Sequence, residues 1–211
     1  STVHLVQSSP SERTACVILD LFGVLVAFDE SLVYNRIAQR CISPQEASRQ
    51  LLNLVSSPGL IRGNEPIEDV HARLKRDLGL SASLDEFLQL WREPYSEPMP
   101  GMRNLLRRLQ RQCELVLLSN VDRYYWPVVC ASLPELGAFR AIQLSFEQGV
   151  AKPEPEAFRR AIDASGASVD ACLFVDDKSE NIEAAAALGL AGHVFQNTGA
   201  LQATLRLRGL C

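Results

Sequence analysis

The chain has 211 residues, of which 47% are hydrophobic and 22% are charged, so it can bury a core of the size found in ordinary globular domains. Its formal net charge of −4 and its dispersed lysines and arginines exclude the strongly basic surface of a nucleic-acid-binding protein. No stretch approaches the ~18 apolar residues of a membrane span. From the charge and the missing span together, neither nucleic acid nor membrane is expected as a partner.

Residues 1–14 are polar and contain Pro10, without the apolar segment of a signal peptide. The chain has six cysteines, which are far apart and form no C-x-x-C pair. Cys16 and Cys172 fall in or beside apolar runs, where a thiol behaves as a small hydrophobe. Reduced, buried cysteines are typical of a reducing compartment, so we expect a soluble, cytoplasmic protein.

The first predicted element is a strand at residues 15–19, an apolar run that Asp20 ends. Near-continuous apolar runs are typical of strands buried on both faces of a parallel sheet. From Asp29 to Pro98 the sequence shows only helical patterns and no strand. Three helices are predicted there, over residues 43–52, over residues 66–79, and from Ser83, where Glu86 completes a capping box.

Beyond Pro98 predicted helices and strands alternate, which is typical of an α/β fold with a doubly wound parallel sheet and right-handed crossovers. We assign residues 1–28 and 99–211 to this core domain and residues 29–98 to a small helical domain inserted after the first strand. The later predicted helices span residues 100–112, 154–165 and 179–188, and the later predicted strands span residues 115–118, 141–144, 171–175 and 192–195.

Polar residues stand where several predicted strands end. Ligands of open α/β sheets bind beyond the carboxyl ends of the strands, so these residues are expected to converge. A carboxylate there can attack phosphorus or carbon, and oxygen ligands without a nearby His or Cys favour a hard ion such as Mg²⁺. The converging residues are Asp20 after the first strand, Ser119 and Asn120 after the second, Lys152 in the loop after the third, and Asp176 and Asp177 after the fourth.

Four segments resemble, in order, the four motifs of the haloacid dehalogenase-like (HAD) hydrolases. They are V-I-L-D-L-F-G-V-L at 17–25, L-L-S-N at 117–120, A-K-P-E-P-E-A-F at 151–158 and L-F-V-D-D-K-S-E-N at 173–181. The helical insert lies where members with a small helical cap carry theirs. The resemblance implies a HAD-like Rossmann-like core with a cap domain, and a phosphatase-type hydrolase acting on a small phosphorylated molecule.

The resemblance also implies a role for each motif residue. Asp20 would be the nucleophile and a ligand of Mg²⁺, and the backbone carbonyl of Phe22 would be a second ligand. Asp177 would bind the metal directly, and Asp176 directly or through water. The remaining motif residues would serve the substrate: Ser119 and Lys152 as catalytic residues that hold the phosphate, Asn120 as a further substrate-binding candidate, and Asn181 as a supporting residue.

Phe22 departs from the family pattern, because phosphatases of this family usually carry Asp at that position of a D-x-D motif. In the family that Asp protonates the leaving alcohol and later activates water, which a phenyl ring cannot do. General acid–base catalysis is worth ~10²–10⁴-fold, so the loss favours substrates with good leaving groups, such as acyl or aryl phosphates. Another acid could replace it, and the candidates are Asp29, Glu30 and His71.

Three hypotheses follow from this departure. The leading one is a Mg²⁺-dependent phosphohydrolase that is slow, selective for activated leaving groups or supplied with another acid. The second is a non-catalytic or regulatory relative that binds a metal or a phosphorylated ligand. The third is a haloacid dehalogenase, since family dehalogenases carry an aromatic residue at the Phe22 position and need no metal. They lack a pair such as Asp176 and Asp177, because two anions without a cation would repel the displaced halide.

Aromatic residues near the ends of the helical insert are predicted to pack rather than to form a site. Tyr124, Tyr125 and Trp126 open the helix after the second strand, where packing or a subunit contact is the favoured interpretation. Trp91 and Tyr95 close the helical insert, and core packing is expected for both.

Overall fold

The structure, a computed structural model, describes residues 13–211, and the prediction about a signal peptide in residues 1–14 falls largely outside them. Five of the strands form one parallel sheet, and the other two form a short antiparallel pair. Within the described residues the strands are β1 (Cys16–Leu19), β2 (Val26–Phe28), β3 (Ser96–Pro98), β4 (Glu114–Ser119), β5 (Ala141–Leu144), β6 (Cys172–Asp176) and β7 (Ala191–Val194).

The large sheet has the strand order β5-β4-β1-β6-β7, so that β1 lies at its centre between β4 and β6. No helix among residues 13–211 has the length and apolar character needed to cross a bilayer. The α-helices in this part of the chain are α1 (Ser31–Ala38), α2 (Pro44–Gln50), α3 (Pro58–Ile61), α4 (Ile67–Leu78), α5 (Leu84–Arg92), α6 (Met102–Leu109), α7 (Trp126–Ser132), α8 (Ser145–Gln148), α9 (Pro155–Ser165), α10 (Ser179–Ala186) and α11 (Thr198–Leu207).

Helices cover both faces of the parallel sheet. Alternate side chains of β1 point to opposite faces, so Val17 and Leu19 pack in one hydrophobic cluster and Ile18 in another. The first cluster includes residues of α6, α7 and α11, and the second includes residues of α9 and α10. The predicted doubly wound parallel sheet is therefore confirmed, and burial on both faces explains why its central strands read as continuous apolar runs.

The helices α1 to α5 form one stretch between β2 and β3, here called the helical segment (residues 29–95). Its predicted capping box is present, with the Ser83 hydroxyl accepting from the Glu86 backbone N–H and the Glu86 carboxylate accepting from the Ser83 N–H. The expectation of no strand from Asp29 to Pro98 was wrong for β3. That strand is only S-E-P, and it is defined by pairing with the distant β2 rather than by any alternating pattern.

Buried contacts join the helical segment to the core domain. The Trp91 indole donates to Asp122 Oδ1 at 3.0 Å, and the backbone N–H groups of Tyr124 and Tyr125 donate to the same oxygen at 2.9 Å. The rings of Tyr95 and Tyr125 stack with centroids 3.9 Å apart. These aromatic residues pack, as expected, and they fasten the end of the helical segment to the start of α7. The division into two domains at residues 28 and 99 stays a prediction.

Candidate active site

Parallel pairing of β1 with β6 brings three carboxylates together at the carboxyl edge of the sheet. Leu19 is level with Val175, and the Asp20 N–H donates to the Val175 carbonyl at 2.9 Å. Asp20 therefore lies beside Asp176 and Asp177. Each of the three offers a ligand oxygen, and these oxygens lie within 4.8 Å of one another.

The Lys152 ammonium lies between two of these carboxylates. Its Nζ is 2.7 Å from Asp20 Oδ1 and 2.8 Å from Asp176 Oδ2, and the residue is 6% exposed. Asn120 clamps the Lys152 backbone, since its Nδ2 donates to the Lys152 carbonyl at 3.0 Å and its Oδ1 accepts from the Lys152 N–H at 2.9 Å. The peptide bond from Lys152 to Pro153 is cis. The loop after β5 is thus held against the loop after β4.

The hydrogen bonds leave one oxygen of Asp20 without a protein partner. Its Oδ1 accepts from the Leu21 N–H at 2.8 Å as well as from Lys152, whereas no described residue donates to Oδ2. Asp176 differs, because its Oδ1 accepts from the Lys178 N–H at 2.9 Å and its Oδ2 accepts from Asn181 at 3.1 Å and from Lys152. Hydrogen bonds to Oδ1 therefore orient the Asp20 carboxylate, and Oδ2 is left without a donor among the described residues.

The cluster carries more negative than positive charge. Burial raises the pKa of Asp20 to about 7, with the Lys152 ammonium opposing the rise and the Asp176 carboxylate adding to it. Burial and the neighbouring Asp176 also raise the pKa of Asp177. Burial disfavours the Lys152 ammonium, but Asp20 and Asp176 outweigh that effect and its pKa is raised. One cation among three carboxylates leaves a negative excess that a further cation would offset.

The oxygens of this cluster fit a divalent metal ion. Asp177 Oδ1 is buried and has no hydrogen-bond partner among the described residues, which is costly for a carboxylate unless a ligand satisfies it. The Phe22 carbonyl likewise accepts no backbone hydrogen bond within residues 13–211. Gly23 makes the close approach possible, since its φ is +87° and an added Cβ would lie 2.3 Å from Asp177 Oδ2. Carboxylate and carbonyl oxygens are the donor set of a hard cation such as Mg²⁺.

Ser119 ends β4 next to this cluster. The parallel register pairs Leu117 with Leu19, so Ser119 lies level with Leu21, one residue beyond Asp20. Its hydroxyl is buried and has no partner among residues 13–211. No hydrogen bond joins it to Asp20 or Lys152, so the structure brings it to the same edge without connecting it to the charged cluster. An unpaired buried hydroxyl is free to donate to an anion.

A cavity of about 370 Å³ opens over Asp20. Among the three candidate replacement acids, only Glu30 lines it, and the Tyr34 hydroxyl donates to Glu30 Oε2 at 2.9 Å. The imidazole Nε2 of His71 is instead 2.8 Å from the Ala82 carbonyl. The lining residues are Asp20, Phe22, Phe28, Glu30, Ser56, Pro58, Ile61, Arg62, Asn120, Ala151, Lys152, Lys178 and Asn181. A larger groove of about 750 Å³ runs along α5 and contains none of the strand-end residues.

Sequence reasoning missed an ion pair at the mouth of this cavity. Arg62, which follows α3 in the helical segment, donates through Nε to Glu154 Oε1 at 3.0 Å, and its Nη2 forms a second, shorter bond to the same oxygen. The Ala151 N–H donates to that oxygen at 3.1 Å. The two partners are 92 residues apart, so no local pattern could have revealed the contact. Asp122 was also missed, although it lies only two residues after Asn120.

Comparison with family models gives one match over most of the chain. A model described as haloacid dehalogenase-like hydrolase matches residues 14–189, which contain all four motif segments and the helical segment. Among curated proteins, the chain is 26% identical over 194 residues to a phosphatase of Mycobacterium tuberculosis, with 88% of each chain covered. It is 27% identical over 196 residues to a sesquiterpene phosphatase of Aspergillus oryzae, covering 92% of this chain and 94% of the relative.

Solved structures share the fold at low sequence identity. A HAD family enzyme from Bacteroides thetaiotaomicron, crystallised as a magnesium complex, superposes with a TM-score of 0.78 at 20% identity and covers 92% of this chain and 100% of its own. The L-2-haloacid dehalogenase of Xanthobacter autotrophicus gives a TM-score of 0.60 at 19% identity, covering 90% of this chain and 82% of its own. These similarities concern the fold.

Proposed function

The chain belongs to the haloacid dehalogenase-like hydrolases, and within this family we propose that it is a Mg²⁺-dependent phosphohydrolase with Asp20 as its nucleophile. One observation carries the proposal. Asp20 is oriented by the Leu21 N–H and the Lys152 ammonium through Oδ1, no described residue donates to its Oδ2, and the residue lines the cavity and belongs to a three-carboxylate cluster. A purely structural aspartate such as Asp122 lies among neutral donors rather than beside two further carboxylates.

The proposed metal ligands are Asp20, Asp176, Asp177 and the Phe22 carbonyl. When bound, Mg²⁺ supplies the positive charge that lets an anionic phosphate approach an anionic nucleophile. The acidic pair argues for a metal-dependent phosphatase and against a dehalogenase, in which no cation would offset the charge of Asp177. The relatives named as phosphatases in Mycobacterium tuberculosis and Aspergillus oryzae point to the same class of substrate.

In the proposed reaction the Asp20 carboxylate attacks phosphorus, and the bond from phosphorus to the leaving oxygen breaks with its electron pair on that oxygen. The aspartyl phosphate is then hydrolysed by water at phosphorus, which releases inorganic phosphate and restores Asp20. Lys152 and the Ser119 hydroxyl would hold the phosphate oxygens, and Asn120 would position Lys152 through its backbone. Lys152 and Ser119 would thereby stabilise charge on the phosphoryl oxygens.

The leaving oxygen has no proton donor at position 22, so we propose that the enzyme favours leaving groups that depart as anions. Glu30 is the candidate for a partial replacement, because this residue lines the cavity. The substitution Glu30→Gln should lower kcat/KM for alkyl phosphates by about tenfold and leave acyl phosphates nearly unaffected. An equal loss on both substrate classes would indicate that Glu30 supports the local structure instead.

We also propose that the helical segment acts as a cap. Ser56, Pro58, Ile61 and Arg62 all belong to it and all line the cavity over Asp20. The Arg62–Glu154 ion pair joins this part of the segment to the loop that carries Lys152. A cap held in this position excludes water from the aspartyl phosphate and selects the small phosphorylated substrate.

The proposed function is tested by three measurements on the same preparation. We expect release of phosphate from an aryl phosphate and from acetyl phosphate, abolished by a chelator and restored by Mg²⁺. Chloride release from a 2-chloroalkanoic acid in chelator would support a dehalogenase instead. Inactivity in both assays, together with a melting temperature raised by Mg²⁺ and phosphate, would support a non-catalytic ligand-binding protein. Lys152→Met should lower phosphate release, because it removes the ammonium proposed to hold the phosphate, and Lys75→Met, on the exposed face of α4, is its matched control.

A further inference from the structure

We propose that the cavity over Asp20 binds the hydrocarbon part of the substrate, so that the enzyme acts on phosphate esters or anhydrides of apolar alcohols and acids. This inference rests on the proposed function, because it assigns the leaving group of the same reaction. The cavity is lined by the apolar residues Phe22, Phe28, Pro58 and Ile61 as well as by polar residues.

The apolar lining of the cavity comes from two regions of the chain. Phe22 comes from the loop after β1, Phe28 from the end of β2, and Pro58 and Ile61 from α3. The polar lining comes from the core, which includes Asp20 and Lys152, and from the helical segment, which includes Glu30 and Arg62. A volume of about 370 Å³ is room for roughly a dozen water molecules at ~30 Å³ each, which exceeds the space that one phosphate group requires.

The two phenylalanines present a fixed apolar surface. The Phe22 ring meets the Phe28 ring edge-on with centroids 5.6 Å apart, and it stacks on the Tyr95 ring at 6.2 Å. Phe28 nevertheless remains 41% exposed, which is high for a large aromatic side chain beside a cavity. Covering such a surface with a hydrocarbon removes apolar area from water without first having to order flexible side chains.

Position 22 connects this surface to the chemistry. It lies two residues after the nucleophile, and in this chain it carries a phenyl ring, which cannot protonate a leaving group. The ring can instead contact the leaving group. An apolar acid or alcohol placed there would keep its reacting oxygen near Asp20 and its hydrocarbon against Phe22, Phe28 and Ile61.

The experiment uses a series of straight-chain acyl phosphates: acetyl, butyryl, hexanoyl and octanoyl phosphate. The carboxylic acids that correspond to the leaving groups have nearly equal pKa values. A change in rate along the series therefore reports contacts between the protein and the hydrocarbon of the acyl group, not the need for a proton. With Mg²⁺ present, we expect kcat/KM to rise by about fourfold per methylene until the cavity is filled, as burial of a methylene group predicts. A flat or falling series would overturn the inference.

Two substitutions locate the effect. Phe28→Ala and Ile61→Ala should each reduce the dependence of kcat/KM on chain length. Leu32→Ala is the matched control for Phe28→Ala, because Leu32 is 42% exposed and does not line the cavity over Asp20. If kcat/KM depended equally on acyl-chain length in Phe28→Ala and Leu32→Ala, the hydrocarbon would bind elsewhere. Melting temperatures would identify a variant that fails to fold.

A binding measurement separates failure of this inference from failure of the proposed function. Straight-chain alkylphosphonates cannot be hydrolysed, and their binding is followed by the melting temperature in Mg²⁺. Turnover of acetyl phosphate without any effect of chain length overturns the inference alone. Absence of turnover, with phosphonates that stabilise more as the chain lengthens, overturns the proposed function and retains the assignment of the pocket. Absence of both effects overturns both.

Discussion

Two buried carboxylate sites at the same edge of the sheet have different neighbours. Asp122 is 2% exposed, and its Oδ1 accepts three hydrogen bonds, from the Trp91 indole and from the N–H groups of Tyr124 and Tyr125. Asp20 is 7% exposed and has an oxygen that no described residue approaches as a donor. Both are buried aspartates after a strand, and no described residue donates to Oδ2 of either. They differ in their neighbours, since Asp20 has ligand oxygens of Asp176 and Asp177 within 4.8 Å, whereas Asp122 accepts from neutral donors.

The difference separates a structural joint from a site of chemistry. Asp122 connects the end of the helical segment to the core, and its hydrogen bonds lower the pKa that burial raises. The Asp20 cluster instead retains a negative excess, and the buried oxygen of Asp177 has no partner within residues 13–211. Burying such groups costs free energy, so a fold that keeps them has a use for them in binding a ligand. The comparison is testable at both sites.

The largest effect is expected from Asp20→Asn. The amide is not a nucleophile, so kcat should fall by at least about 10³-fold, equivalent to about 4 kcal/mol in the barrier. Stability should change by no more than about 1 kcal/mol, since the side chain keeps its shape and loses a repulsive charge. Asp163→Asn, on the exposed side of α9, is the control for both assays. Retained turnover in Asp20→Asn would remove Asp20 from its proposed role.

Asp122→Ala should act on folding rather than on chemistry. Removing its oxygen leaves the Trp91 indole and two backbone N–H groups without their partner, which should lower the free energy of unfolding by about 3 kcal/mol. Asp122→Asn keeps an acceptor and should cost about 1 kcal/mol. Urea denaturation measures both, with the exposed Asp170→Ala as control. If folded Asp122→Asn lost as much kcat as Asp20→Asn, Asp122 would not be a purely structural residue.

Phe22→Asp should restore the missing acid. We expect kcat/KM for alkyl phosphates to rise by about 10- to 100-fold, with little change for acyl phosphates, which do not need a proton. Phe22→Leu is the control, because it removes the ring without supplying an acid. The lost contacts with Phe28 and Tyr95 should cost about 1–2 kcal/mol of stability, which the melting temperature reports. Equal rates in the Asp and Leu variants would contradict our account of position 22.

The smallest effect is expected in the pH dependence of stability without metal. Asp20 has a pKa of about 7 in the folded protein and an ordinary value of 3.8, so its protonated form stabilises the folded state. This contribution is complete below about pH 4 and is lost progressively as the pH rises from about 4 to about 7. It is measured as the difference in melting temperature between the wild type and Asp20→Asn in chelator. A difference that does not vary with pH would contradict the raised pKa.

Local patterns were enough to predict most of the fold. The strand at residues 141–144 matches β5 residue for residue, and the capping box at Ser83 begins α5 as expected. Both signals lie within a few neighbouring residues. The pair β2–β3 was missed, because three-residue strands have too little pattern to be recognised and their partners are about 70 residues apart. Sequence reasoning identified the strand-end residues for the same reason that it succeeded with the strands, since each follows an apolar run.

The sequence by itself determined which chemical groups reach the edge of the sheet, because a parallel α/β pattern places strand ends together whatever the loops do. Only the tertiary structure decided how those groups are paired: that Lys152 lies between Asp20 and Asp176, that Asn120 holds the Lys152 backbone, and that Arg62 meets Glu154. Hydrogen bonds depend on distances of a few tenths of an ångström between residues far apart in the chain. Such distances follow from packing and leave no trace in local sequence.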